Sequence, residues 1–174
     1  MLLEQMMPVV NQIETEMPHF GKPSFFEVQF ALSCMYFAHN AVDVAVIEVG
    51  VGGTRDATNV VRSQVAVLTS VGLDHTGILG DTIEEIMTDK AGIIKPQQTV
   101  VTGVTQPSAQ DIIIDRAEVF GSQLWSIGEQ FDYDSPDGET VNISVNGRDF
   151  MGIELGMMGP VSYTHLTLPT TPYV

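Results

Sequence analysis

From Leu3 to Glu16 the apolar residues Met6, Val9, Val10 and Ile13 fall at helical spacing, and Pro18 follows. That period predicts a helix closed before the proline. Pro23 then leads into Ser24-Phe25-Phe26-Glu27. A serine followed three residues later by glutamate is a capping-box pattern, so a second helix starts there and runs to about Ala38. Phe26, Phe30, Leu32, Met35 and Phe37 make it apolar nearly all round, the pattern of a buried helix. Three short β-rich runs follow: Val42 to Val49, Val65 to Thr69 and Thr99 to Thr102. Between the last two, Thr82-Ile83-Glu84-Glu85 is another capping box, opening a helix that stops near Gly92. A further helix spans about Ser108 to Phe120. Continuous Val/Ile runs alternating with helices predict an α/β fold, a parallel sheet with helices on both faces.

The pattern changes after Leu124. Phe131 to Tyr133, Val141 to Val145 and Phe150 to Ile153 are short strand-like pieces, separated by Asp137-Gly138 and Asn146-Gly147. Both dipeptides are hairpin signals, so a small antiparallel appendage is expected. The domain plan is therefore a partial central α/β domain over 1–123, the appendage over 124–160 and an unstructured, non-native tail over 161–174. The tail has four Thr, two Pro and no charged side chain.

Composition narrows the function. The 174 residues carry 22 Asp and Glu against 7 Lys and Arg, a net charge of −15. Duplex nucleic acid and anionic membrane surfaces are poor partners for such a chain. The single cysteine, Cys34, excludes a disulfide scaffold, and no apolar run has the length of a membrane span. Neither basic leader nor internal repeat is visible, and a cytoplasmic setting fits.

Two loops follow β-rich runs, where open parallel sheets bind ligands. In Gly50 to Asn59, the glycines suit either a tight turn or close approach to a ligand. The loop is neither a Walker A nor a Rossmann fingerprint. Asp56 and Asn59 are usual turn formers. In Ser70 to Thr76, His75 beside Asp74 is either a hydrogen-bonded loop histidine or a ligand for a divalent ion. Glu27 either completes the cap of Ser24 or offers an oxygen to Mg²⁺. Lys90 either complements the dipole at a helix end or is a reactive amine that takes up CO₂ as a carbamate. His19, His39 and His165 have no partner pattern.

The order of the motifs is more specific than any one of them. Ser24 to Glu27, Val44 to Gly53, Asp56-Ala57-Thr58-Asn59, Leu73-Asp74-His75-Thr76, Lys90-Ala91-Gly92-Ile93-Ile94-Lys95 and Val100-Val101-Thr102-Gly103 follow one another. The chain resembles the folylpolyglutamate synthase/dihydrofolate synthase family of the Mur ligase superfamily, from about Ser24 to Pro160. The resemblance implies an ATP-dependent ligase that joins a folate-type carboxylate to glutamate through an acyl phosphate. It implies a folate-type substrate, glutamate, ATP and Mg²⁺ as partners, and a monomer. Glu27 and His75 match the family's magnesium-binding glutamate and histidine. Lys90 matches its carbamylated lysine, and Arg55, Asp56 and Asn59 fall in the loop near the pterin-bearing substrate. The family often has Gly-Gly-Arg-Leu-Asp there, whereas this chain has Gly53-Thr54-Arg55-Asp56, with the arginine one place later. A Mur-type ligase of peptidoglycan precursors and a non-catalytic α/β binding module are the alternatives. The Gly52-Gly53 and Asp56 to Asn59 loop favours the folate branch.

The family's phosphate loop, Gly-Thr-Asn-Gly-Lys-Gly-[Ser/Thr], occurs nowhere in these 174 residues. Beyond Pro160 the family's Gly-x-His-Gln-x-x-Asn segment is replaced by Val161-Ser162-Tyr163-Thr164-His165. The chain thus reads as a central-domain fragment. By itself it is expected not to turn over ATP. In a phosphate-release assay with a folate-type acid, glutamate and Mg²⁺, its rate should equal that of a Glu27→Ala control, and a clear excess would refute this.

Overall fold

The computed structural model describes residues 2–136 and 140–154. The chain forms two compact units. One takes in the residues up to Gly50 together with Asp56–Val61. The other takes in Val51–Arg55 and the residues from Arg62 onward.

In the first unit, α1 (Leu2–Glu16) turns Met6 and Val10 inward, one helical turn apart, and packs against α2 (Phe25–His39). A 3-10 turn over Pro18–Phe20 separates them. The cap at the start of α2 is reciprocal. The Glu27 N–H donates to Ser24 Oγ at 3.2 Å, and the Ser24 N–H donates to Glu27 Oε2 at 2.7 Å. A second 3-10 turn, Ala57–Val60, lies against α2.

In the second unit, β1 (Val65–Leu68), β2 (Thr99–Thr102) and β3 (Gln123–Ser126) form a parallel sheet in that order. The strands are joined through helices α3 (Thr76–Leu79), α4 (Ile83–Lys90) and α5 (Pro107–Val119). Alternation along β1 and β2 turns Ala66, Leu68, Val100 and Thr102 to one face, where they are buried. Leu68 and Val100 join Ile86 and Met87 of α4 and Ile113 of α5 in the core. Both helices start where the sequence signals them. Thr82 and Glu85 close a capping box, and Pro107 occupies the first turn of α5. A separate antiparallel sheet comprises β4 (Phe131–Asp134), β5 (Thr140–Val145) and β6 (Arg148–Glu154). Asn146 (φ 48°) and Gly147 (φ 74°) make its two-residue turn, with both residues left-handed as a type I′ hairpin requires.

Four features differ from the sequence reading. Val42 to Val49 is in no strand, and Val44 and Val46 are 80% and 91% exposed. β-propensity makes a strand only when a neighbour completes the ladder, and this run has none among the described residues. α2 buries no side chain fully, and Phe25 is 83% exposed. A helix apolar on every side needs cover on every side, and α1 and the Ala57–Val60 turn cover only part of it. The third parallel strand is Gln123–Ser126, so the boundary expected at 124 falls inside β3. Thr76–Leu79 is a short helix inside an expected loop. The expected Asp137-Gly138 turn and the tail from Val161 lie outside the described residues. No described helix is long and apolar enough to cross a membrane.

Ile113 has no exposed surface at the centre of the core. Ile113→Ala should lower unfolding free energy by about 2–5 kcal/mol, read by urea denaturation.

Candidate functional site

Glu27, Asp56, Asn59 and His75 are each held by a local device, and the devices differ in what they leave available. In the first unit the carboxylate of Glu27 is tied through Oε2 to the Ser24 N–H, while Oε1 has no partner among the described residues. The Ser24 backbone N–H, and then its hydroxyl, hold the Glu27 carboxyl below its ordinary titration range, against a small opposing effect of burial. Glu27 is therefore an anion at neutral pH, on the exposed first turn of α2.

Asp56 is used up differently. Its Oδ2 accepts the Gly50 N–H at 3.1 Å, and its Oδ1 accepts the Thr58 N–H at 2.9 Å and the Thr58 hydroxyl. It caps the Ala57–Val60 turn, as its residue type foretold. The Asn59 N–H donates to the Asp56 carbonyl at 3.0 Å, so these two residues build one turn. Gly50 is the point where Asp56 meets Phe26: a Cβ there would lie 3.0 Å from Asp56 Oδ2 and 2.8 Å from Phe26 Cζ. A side chain at that position would have to displace the Phe26 ring or the Asp56 carboxylate.

In the second unit, His75 stands left-handed (φ 51°, ψ 34°) as the residue that starts α3. Its N–H donates to Asp74 Oδ1 at 2.8 Å, and its carbonyl accepts from Ile78 and Leu79 at 2.8 and 3.0 Å. A non-glycine residue in this region is uncommon and points to a site where backbone strain is tolerated for placement. The imidazole is half exposed, with Nε2 3.8 Å from Asp74 Oδ2. Lys90 is the last residue of α4 and is half-buried. No carboxylate among the described residues forms an ion pair with it. Arg55 is exposed.

The glycine pair has a use the sequence did not reveal. Gly52 and Gly53 are buried against the end of α4. A Cβ on Gly53 would lie 2.7 Å from the carbonyl oxygens of both Asp89 and Lys90, and 3.0 Å from Lys90 Cα. A Cβ on Gly52 (φ 72°) would run into the Asp89 carboxylate and lie 2.8 Å from Leu79 Cδ2. Thr54 and Asp89, which carried no signal of their own, form the fastening between loop and helix. The Thr54 N–H and its hydroxyl both donate to the Asp89 carbonyl at 3.0 Å. Close backbone approach was legible in the glycines; that the approached surface is a helix end was not.

Magnesium takes oxygen ligands and usually keeps several waters, with only one or two protein carboxylates plus substrate phosphates. Glu27, anionic and with one oxygen unengaged, fits that role. Among the described residues no three His, Cys, Asp or Glu come together as a metal cage.

The family described as the Mur ligase middle domain matches residues 2–162. The chain is 40% identical over 147 residues to the dihydrofolate synthase/folylpolyglutamate synthase of Bacillus subtilis, covering 76% of this chain and 34% of that protein. It is 42% identical over 134 residues to the folylpolyglutamate synthase of Lacticaseibacillus casei, covering 69% and 31%. Among solved structures, a folylpolyglutamate synthase in complex with AMPPCP and folate superposes with a TM-score of 0.80 at 30% identity, covering 98% of this chain and 46% of that one. The chain spans about a third of the length of these two relatives.

The Glu27 carboxyl titrates below its unfolded value, so the stability it adds is fully present above the ordinary carboxyl range and is lost as pH falls through its folded value. The difference in thermal unfolding between wild type and Glu27→Gln should be largest at neutral pH and shrink as pH falls below the ordinary carboxyl range.

Proposed function

Because the chain belongs to the Mur ligase middle-domain family, we propose that it is the central part of an ATP-dependent ligase that adds glutamate to a folate-type carboxylate. The observation that carries the reading is the match over residues 2–162 together with 40% identity to a dihydrofolate synthase/folylpolyglutamate synthase. The relative solved with AMPPCP and folate supports ATP and a folate as the partners. Glutamate, a monomeric state and a cytoplasmic location belong to the same proposal.

The chemistry has two displacements. A carboxylate oxygen of the folate-type acid attacks the γ-phosphorus of ATP; an O–P bond forms and the bond to ADP breaks. The amine of glutamate then attacks the acyl carbon, phosphate leaves with the bonding pair, and the nitrogen loses a proton. Both steps gather negative charge, so the site needs cations and close placement of the reactants.

In this reading Glu27 and His75 each supply a ligand to magnesium, which neutralises phosphate charge when bound. Lys90 acts as a carbamate. The lone pair of its uncharged amine attacks the carbon of CO₂, the N–C bond forms, one C–O π pair moves onto oxygen, and the proton leaves to water. Lys90, a half-buried residue with no carboxylate partner among the described residues in a chain with 22 acids, supports this role. An anion at a helix C-terminus opposes the dipole by about 0.3–1 kcal/mol, so the carbamate depends on nearby cations. Arg55, Asp56 and Asn59 form the loop beside the folate-type substrate. Asp56 and Asn59 act there by shaping the backbone, and exposed Arg55 is the loop's free cation.

In the full-length protein, ADP release should require both a folate-type acid and glutamate, and a peptidoglycan precursor should not replace the folate. Lys90→Ala should lower the rate about a hundredfold, with partial recovery on adding a small carboxylate. Full activity of Lys90→Ala would refute the carbamate.

A further inference from the structure

The turn that packs against Lys90 comes from a distant part of the sequence, and where Gly53 meets Lys90 the approach is main chain to main chain. α4 is held at three places. Thr82 and Glu85 cap its start, and Ile86 and Met87 anchor its middle in the core with no exposed surface. Its end is held by Gly52-Gly53-Thr54. Gly53 lies on the Lys90 backbone so closely that no side chain fits between them. Gly92, just past the helix, is crowded in return by Thr54: a Cβ there would meet the Thr54 hydroxyl and lie 2.7 Å from Thr54 Cα. Two donors of one residue, the N–H and the hydroxyl of Thr54, converge on the Asp89 carbonyl. Carbonyls at a helix end lack intrahelical partners, and this one takes two donors from the loop besides the Ala91 N–H of the cap. A Cβ on Gly52 would also lie 2.8 Å from Leu79 Cδ2 of α3, the helix that begins at His75. The turn therefore lies beside both the helix that His75 starts and the helix that Lys90 ends.

We infer that Thr54 is a positioning residue for Lys90, its hydroxyl and the side-chain-free Gly52-Gly53 pair fixing the end of α4 and so the place from which the lysine amine projects. The inference rests on Lys90 acting as a carbamate. The turn touches the lysine's backbone, and fixing that backbone leaves the side-chain torsions as the main remaining freedom of the amine. Thr54→Val keeps the shape of the side chain and removes one of the two donors to Asp89. A loosened helix end moves the amine from its working place, and displacements of about 1 Å are worth up to roughly a hundredfold in rate.

The test uses the full-length protein with ATP and Mg²⁺. Thr54→Val should lower kcat about tenfold or more while leaving KM for ATP and for the folate-type acid within about twofold. Thr54→Ser, which restores the donor, should recover most of the rate. Hydrogen exchange of the amides from Lys90 to Gly92 should quicken in Thr54→Val and not in Thr54→Ser. The ¹³C carbamate signal, read after equilibration with ¹³C-bicarbonate, should be present in wild type, absent in Lys90→Ala and weaker in Thr54→Val. Unchanged kcat and an unchanged carbamate signal in Thr54→Val would overturn the positioning role. Faster exchange with no kinetic effect would overturn it too, leaving a purely structural contact. Absence of the carbamate signal from wild type would instead overturn the reading of Lys90 itself.

Discussion

The distance between the Gly53 and Lys90 backbones is the constraint around which the second unit is organised. A Cβ at 2.7 Å from two carbonyl oxygens cannot be accommodated by a rotamer change, because its neighbours are main chain. Only displacement of the α4 end would relieve it, and α4 is not free to move. Its middle carries Ile86 and Met87, which share the core with Val100 of β2 and Ile113 of α5. Core packing is dense, and a shift of one helix is felt by everything packed on it. Loop, helix and sheet are thus mutually determined: the glycines let the helix end approach, and the core stops it from backing away.

That arrangement explains which parts of the molecule the sequence made legible. Features determined within a few residues were readable. The capping boxes Ser24 to Glu27 and Thr82 to Glu85 and the Asn146-Gly147 turn all stand where their local chemistry put them. The parallel pairing of β1 with β2 was readable as well, since Val/Ile runs joined by a helix leave few other topologies. Contacts between segments far apart in sequence were not readable. Nothing in Thr54 announced a hydrogen bond to Asp89, 35 residues on. Two adjacent glycines announce a tight turn or a close approach without saying to what, and at Gly53 the approaching surface is the protein's own backbone.

The two main misreadings share a cause. Val42 to Val49 has the composition of a buried parallel strand, and α2 has that of a buried helix, yet both are largely exposed. Composition reports the surroundings a segment is suited to; the structure reports the surroundings it has among the described residues. Val44 and Val46 expose side chains of high β-propensity, and that propensity measures fit to a pleated, covered surface more than any preference of the isolated backbone. Phe25 and Tyr36 expose aromatic surface on α2 for the same reason.

Capping and metal binding entered the sequence reading as rival uses of Glu27, and the geometry shows why they need not compete. A carboxylate has two oxygens and about four acceptor positions. The cap takes one oxygen, and the other has no partner among the described residues. The cap also does something for ligation. It restricts the side-chain torsions, so less rotamer freedom remains to be lost when a ligand is met. It also keeps the group ionised, through the Ser24 N–H, under conditions where a free glutamate would begin to protonate. The same logic applies to Asp56 with the opposite result. Both of its oxygens accept hydrogen bonds from Gly50 and Thr58, so what it has to offer is the shape of the loop rather than a free ligand. What separates the two acids is how many of their lone pairs the local fold has already taken.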